Sequence, residues 1–314
     1  MNSFGKNKKF IISFNWKFNL MMIVTVIVWA LAFPYIKIGL KELSFVNLTI
    51  MRFVIVSLVF FIIFIIRKNR ISKLHKKDII PIFFLGVFGV IAYHLGLNYG
   101  EQFISAGAAS LIIATIPIQI VLLSIIFLKE KITLIKILGI IFSFCGVIII
   151  SLWGSVDTTL EINYFFGALA VLFAAAMGAI YTIVGKKFLD RYSGFSLTIY
   201  AMFFGSIGLI PFVSKSLIDQ VFNMSIDGWL AIIILGIFST VIGYSLWYIA
   251  LEKKNASDLS VYLYAIPVLS TIISFIMFKD QITVLFILGG FFVILGLAIV
   301  NLEKRNNKNI RNKK

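Results

Sequence analysis

The chain is poor in the residues that build chemical centres. Its 314 residues include one cysteine and two histidines. Cys145 has no partner for an internal disulfide, and it lies in an apolar run where it reads as a small hydrophobe. Neither His75 nor His94 has a second ligand at a metal-binding spacing, so no metal and no cofactor are expected. No carboxylate, histidine and cysteine gather near one end of an apolar run. No catalytic residue is therefore assigned, and an enzyme acting on lipids is not expected.

Charge is scarce too. Charged residues make up 13% of the chain and hydrophobic ones 61%. Soluble domains run near 25% and 45–50%. So little polar surface cannot cover the apolar core in water, so a lipid bilayer must cover much of it. The formal net charge of +16 invites a nucleic-acid reading. The basic residues stand in short loops between apolar runs and at the two ends, which is the pattern of membrane orientation and not of a nucleic-acid face. No nucleic-acid partner is expected.

What the chain has in abundance is apolar length. A spanning helix needs roughly 20 mostly apolar residues. Ten runs qualify: Phe18–Ile38, Phe45–Ile66, Ile79–Tyr99, Ile104–Phe127, Leu134–Leu152, Tyr164–Gly185, Phe195–Val213, Trp229–Leu251, Ser257–Phe278 and Val284–Val300. Asp78 followed by Pro81 reads as the start of the third, a capping acid and then a first-turn proline. Lysines precede the first run, and Ala30-Leu31-Ala32 resembles a leader cleavage site. The run is longer than the roughly 7–15 apolar residues of a leader, so it is expected to be retained.

With the N-terminus placed in the cytoplasm, alternate loops sort the basic residues. The outer side receives Lys37, Lys41, Lys215 and Lys279, and Arg52 lies inside a run. Every other Lys and Arg falls on the inner side, including a cluster from Lys304 to Lys314. This bias predicts a multi-pass protein of the inner or plasma membrane with both termini cytoplasmic.

The sequence also repeats itself. Phe127-Leu128-Lys129-Glu130-Lys131-Ile132-Thr133 recurs 150 residues on as Met277-Phe278-Lys279-Asp280-Gln281-Ile282-Thr283. At the same offset Pro117 matches Pro267, Gly139 matches Gly289, and Gly146 matches Gly296. Leu85-Gly86-Val87-Phe88 matches Leu235-Gly236-Ile237-Phe238. One residue out of that register, Leu48-Thr49-Ile50 matches Leu197-Thr198-Ile199, and Lys37 matches Lys186. The expected fold is thus all-α and integral to the membrane, ten helices in two five-helix halves, residues 1–152 and 153–314, the second ending in a basic tail. Five is odd, so the second half enters inverted. Inverted repeats are typical of secondary transporters, whose sites lie between the halves near the midplane.

Two halves that each carry Pro, then Glu or Asp followed by x-Ile-Thr, then two glycines seven apart, resemble the EamA-like family of the drug/metabolite transporter superfamily. Trp29 and Arg52-Phe53 are similar to that family as well. The resemblance covers roughly residues 18–301, with Asp280 as a mild departure. It implies a transporter, often an exporter of amino acids, related metabolites or toxic compounds, working by alternating access.

Several residues carry two readings. Glu130 and Asp280 are gates or first-turn carboxylates favoured by a helix dipole. The glycine pairs are packing faces or, in a homodimer, a contact; the chain is expected to be a monomer or homodimer. Pro117, Pro267 and Pro34 are packing kinks or sources of free carbonyls facing a cavity. Arg52 costs about 2.5–3.5 kcal/mol at midplane, so it either snorkels to the surface or binds a carboxylate or gates. Asp258 is a first-turn carboxylate or a cation site. Ser257, Ser260, Tyr264, Pro267 and Thr271 follow helical steps and form one polar face. Opposite it stands a small face of Gly107, Ser110, Ala114 and Pro117. Trp29, Tyr93, His94, Tyr181, Tyr244 and Trp247 are candidate aromatic walls. The expected substrate-binding set is Trp29, His94, Ser110, Tyr181, Trp247, Ser260, Tyr264 and Thr271, with Arg52 and Asp258 for gating or charge.

No acid lies at the centre of any run, which disfavours proton-coupled export of cationic drugs. Arg52 alone does not suit a phosphorylated sugar, which needs several cations. The expected function is export of a small neutral or zwitterionic metabolite such as an amino acid. Drug or toxic-compound efflux and a non-transporting membrane scaffold are the alternatives, and a channel lacks a ring of charge for a filter.

Overall fold

The computed structural model describes residues 16–130, 133–153, 162–278, 283–285, 287–296 and 299. Among them every regular element is helical. In chain order these are α1 (Trp16–Gly39), α2 (Phe45–Arg70), α3 (Lys76–Glu101), α4 (Ala106–Leu128), α5 (Leu134–Trp153), α6 (Ile162–Phe188), α7 (Gly194–Phe212), α8 (Lys215–Phe222), α9 (Ile226–Lys253), α10 (Ala256–Phe278) and α11 (Ile287–Gly296). Eight of them, namely α1 to α4, α6, α7, α9 and α10, are long and apolar enough to cross a membrane. Helices α5 and α11 are apolar and stand where the fifth and tenth runs are expected. Lys131, Ile132, Lys279, Asp280, Lys6, Lys8, Lys9 and the basic residues from Lys304 to Lys314 lie outside the described residues.

Local sequence explains where several helices begin. The side chains of Ser44, Ser105, Ser193 and Ser225 cap α2, α4, α7 and α9 by accepting from the backbone N–H three residues on, at 3.1–3.3 Å. Asp78 departs from expectation. Its side chain makes no capping bond to the turn that follows, because its carboxylate is committed elsewhere, as described below. Asn255 stands at the start of α10 and likewise makes no side-chain cap.

Outward faces are apolar. On α2, Leu58, Phe61, Ile62, Ile65 and Ile66 are all more than half exposed, as lipid-facing side chains should be. Cys145 on α5 is exposed. The short α8 stands between the seventh and eighth apolar runs. Its Leu217 packs on the core, while Ile218 and Phe222 stand outside. That division suits a helix lying in a membrane interface.

Four spans are interrupted, in matching pairs. Helix α3 winds as a π-helix over Val87–Ala92, and α9 does so over Ile234–Ile242. Helix α4 breaks at Ala114 and Thr115, just before Pro117. Helix α10 tightens to 3-10 over Val261–Tyr264, just before Pro267. Proline removes an i→i−4 bond and forces such a break. Two close approaches recur likewise. A Cβ on Gly86 would lie 2.5 Å from the Ala201 carbonyl, and one on Gly236 would lie 3.3 Å from the Arg52 carbonyl. At Gly86 only glycine lets the helices pass so near, and at Gly236 a Cβ would fit only if Ile55 gave way.

Residues related by the 150-residue offset also meet. His94 and Tyr244 rings lie 6.1 Å apart. Phe142 and Phe292 stack at 6.1 Å and 14°. Ala114 and Tyr264 share one small buried cluster.

Candidate functional site

The interrupted segments surround a small cavity of about 60 Å³. Helix α1 supplies Trp29, Ala32 and Phe33; α2 supplies Arg52; α3 supplies Gly89, Tyr93 and Leu97. From α4 come Ile113 and Ile116, from α6 Gly178, Tyr181 and Thr182, from α9 Tyr244 and Trp247, and from α10 Leu263 and Ile266. The wall is mostly apolar and holds one charged group, Arg52.

The π-segment of α9 organises the polar side of this wall. A π turn leaves backbone carbonyls without their usual partners. The indole N–H of Trp29 donates to the Ser239 carbonyl at 2.9 Å. In return the Ser239 hydroxyl donates to the Val28 carbonyl at 2.7 Å. Thr240 donates to the Leu235 carbonyl at 2.8 Å and accepts from Arg52 Nε at 2.7 Å. Arg52 is 3% exposed, so its stem does not snorkel outward. Its head stays at the cavity, held by Thr240 through one of its five N–H groups.

Aromatic rings complete the wall. Trp29 lies 5.3 Å from Tyr244 and 5.4 Å from Trp247. Tyr181 lies 5.8 Å from Tyr244 edge to face, an attractive arrangement for rings. Gly89 in the π-segment of α3 makes this possible, since a Cβ there would sit 2.3 Å from the Tyr181 ring. The Tyr181 hydroxyl is buried and has no hydrogen-bond partner.

Of the residues expected from sequence, Trp29, Arg52, Tyr181 and Trp247 line this cavity, together with Tyr93 and Tyr244. The others are elsewhere. His94 is fully buried one layer behind, its ring against Phe53, Tyr93 and Tyr244. Its Nδ1–H donates to the Val90 carbonyl at 3.1 Å, and its Nε2 has no hydrogen-bond partner. Ser110 and Ser260 are buried and bond back to the Gly107 and Ser257 carbonyls. Tyr264 is buried against Leu111, Ala114 and Val293. Thr271 is buried near Gly107. Asp258 lies in the first turn of α10, half-buried and off this cavity.

Three further groups have surroundings that their places in the sequence do not show. Glu101 at the end of α3 is fully buried. Asp78 accepts from Arg191 Nη1 at 2.8 Å and from the Tyr192 hydroxyl at 2.7 Å. Burial raises the Tyr192 hydroxyl above its ordinary pKa, so it remains a donor. Around this pair the α2–α3 connection is tied to the α6–α7 connection. The His75 N–H donates to Tyr192, Ser72 N–H to Ser196, and the Tyr200 hydroxyl to the Ser72 carbonyl. The third group closes the other end. The Ser225 backbone N–H donates to Glu42 at 2.6 Å, and its hydroxyl donates to the same carboxylate. Asn47 donates to Gln220 at 2.7 Å. A carboxylate in a predicted turn was the only sequence signal for any of these.

The model of the EamA-like transporter family matches residues 16–152 and again 165–302. The chain belongs to the EamA-like transporter family. It is a membrane transporter with multiple spanning helices, and the family domain occurs twice in it. A transporter of Archaeoglobus fulgidus is 40% identical over 90% of this chain and 97% of its own length. YdfC, a transporter of Bacillus subtilis, is 33% identical over 88% of each chain. A probable terminal-alkyne amino-acid exporter of Streptantibioticus cattleyicolor is 28% identical over 89% of this chain and 92% of its own. A protein crystal structure shares the fold at a TM-score of 0.68 and 20% identity, covering 93% of this chain and 98% of that one.

Proposed function

We propose that this EamA-like transporter exports a small amino acid or a closely similar zwitterion across the plasma membrane by alternating access. The supporting observation is Arg52, a buried guanidinium with spare donors in the wall of an otherwise apolar, aromatic cavity. A substrate carboxylate would take a fork of two N–H bonds from it, and the substrate's apolar part would lie against Trp29, Tyr93, Tyr181, Tyr244 and Trp247. A fixed cation there tells against cationic drugs. The name of the Streptantibioticus relative supports the amino-acid class.

The same reading takes residues 1–152 and 153–314 as inverted repeats of five spans each, with α5 and α11 as the fifth and tenth. Paired π-segments, paired proline breaks and the meeting of His94 with Tyr244 support it, since interrupted helices at equivalent places mark the site in such folds. Both termini would be cytoplasmic on the distribution of basic residues. His94, Ser110, Ser260, Tyr264 and Thr271 would support the wall from behind, and Asp258 would act near the end of α10.

The test is uptake and counterflow of a panel of labelled amino acids in liposomes holding the purified protein. Saturable counterflow of one neutral class, reduced at least tenfold in Arg52→Gln, is expected. Folded protein that exchanges none of them would overturn the reading in favour of a scaffold or a different solute.

A further inference from the structure

A second, wider cavity opens at the Glu42 end of the bundle, lined by Lys37, Lys41, Glu101, Gln102, Ser105 and Phe278. It stands over the inner cavity on the same helices. On α1, Trp29, Phe33 and Lys37 follow in steps of four; on α3, Gly89, Tyr93, Leu97 and Glu101 do the same. Residues four apart share a helix face. One continuous line therefore leads from the aromatic wall to the mouth, and Glu101 is the carboxylate on it. No other acid lies on the wall of either cavity.

Glu101 is fully buried, and neither carboxylate oxygen has a hydrogen-bond partner. An ionised carboxylate in that condition is costly, and a neutral one much less so. The charged and titratable groups that act on it are Lys37 of α1, Arg52 of α2 and Tyr93 on α3 itself, with Lys41 in the same mouth; α6 carries Tyr164 in its first turn. Tyr164 lies one turn before Gly167, which packs on Gly100. Helix α4 brings Ser105 and no charge. Lys41 is turned toward the Phe278 ring at 5.8 Å.

We propose that Glu101 is an exchangeable proton site that a substrate ammonium and a proton occupy in turn. The proposal rests on reading the inner cavity as the amino-acid site. With the substrate carboxylate on Arg52, its ammonium points along the line toward the mouth, where ionised Glu101 supplies the opposite charge. When the substrate leaves, the carboxylate takes a proton from water at the mouth, becomes neutral, and the mouth can close over it. One proton enters for each zwitterion that leaves, and no bond other than the carboxyl O–H is made or broken.

Two measurements test this on the full-length protein in nanodiscs. The first needs no substrate: infrared spectra across a pH series, comparing the parent with Glu101→Gln. A carboxylic-acid band that titrates in the parent and is missing from the variant is expected. Identical titration in both would overturn the proposal whatever the substrate proves to be. The second is binding of the amino acid found by counterflow. Parent affinity should fall about tenfold per pH unit on the acid side, with about one proton released per molecule bound. In Glu101→Gln the affinity should be lower, independent of pH and without proton release, while Arg52→Gln should keep the infrared band and lose the binding. A pH-dependent affinity retained in Glu101→Gln would also overturn it. If no amino acid binds the folded parent, the amino-acid reading fails, and with it the exchange of ammonium for proton.

Discussion

At the Asp78 end, a buried carboxylate takes an arginine and a tyrosine from the opposite connection. At the Glu42 end, the equivalent positions use neutral partners. The correspondence is close: Ser44 and Ser193 both cap a helix, Thr49 and Thr198 both donate to the carbonyl four residues back, and Glu42 stands 149 residues before Arg191. Yet Glu42 meets a serine on the surface, whereas Arg191 meets a carboxylate that is 5% exposed. Duplicate halves preserve the scaffold of caps and turns more faithfully than the chemistry that closes each end. If the two ends open in turn, as proposed above, unequal closures would set which end opens more readily.

Three substitutions would break or sharpen that contrast, with unfolding followed in nanodiscs. Asp78→Ala should have the largest effect, about 2 kcal/mol, because it removes the partner of the Tyr192 hydroxyl and an ion pair that solvent screens at the 40%-exposed Arg191 side chain. It should also speed thiol labelling of a cysteine placed at Ser72 in a Cys145→Ser background. Unchanged labelling would mean that the pair does not hold this end shut. Tyr192→Phe removes one hydrogen bond to a carboxylate and should cost about 1.5 kcal/mol. Glu42→Ala should cost less than about 1 kcal/mol, since its bonds are exposed to water. A cost at Glu42 equal to that at Asp78 would remove the asymmetry.

Much of the fold was legible because bilayer thickness imposes one length on every span. Arg52, Trp29, Tyr181 and Trp247 stood out as a lone buried cation and as large rings in otherwise aliphatic runs. What escaped was set by three-dimensional partners. Thr240 is one threonine among many until the π-segment aims it at Arg52, and π winding has no composition of its own. Asp78 looked like a cap because that is the local use of an acid before a helix; its partners lie more than 110 residues away. Glu101 was passed over because it sits at the end of a run, where an acid reads as loop. Ser110, Ser260 and Thr271 were rightly placed inside the bundle, but helical periodicity does not tell a packed interior face from one that borders a cavity.

The account turns on Arg52 as the anchor for a carboxylate. Counterflow of one neutral amino acid and of its carboxamide, measured side by side in the parent and in Arg52→Gln, tests this most directly. A charge-assisted bond contributes about 1.5–3 kcal/mol, so the parent should favour the acid over the amide by at least tenfold, and the variant should show no such preference. Equal transport of acid and amide by the parent would contradict it.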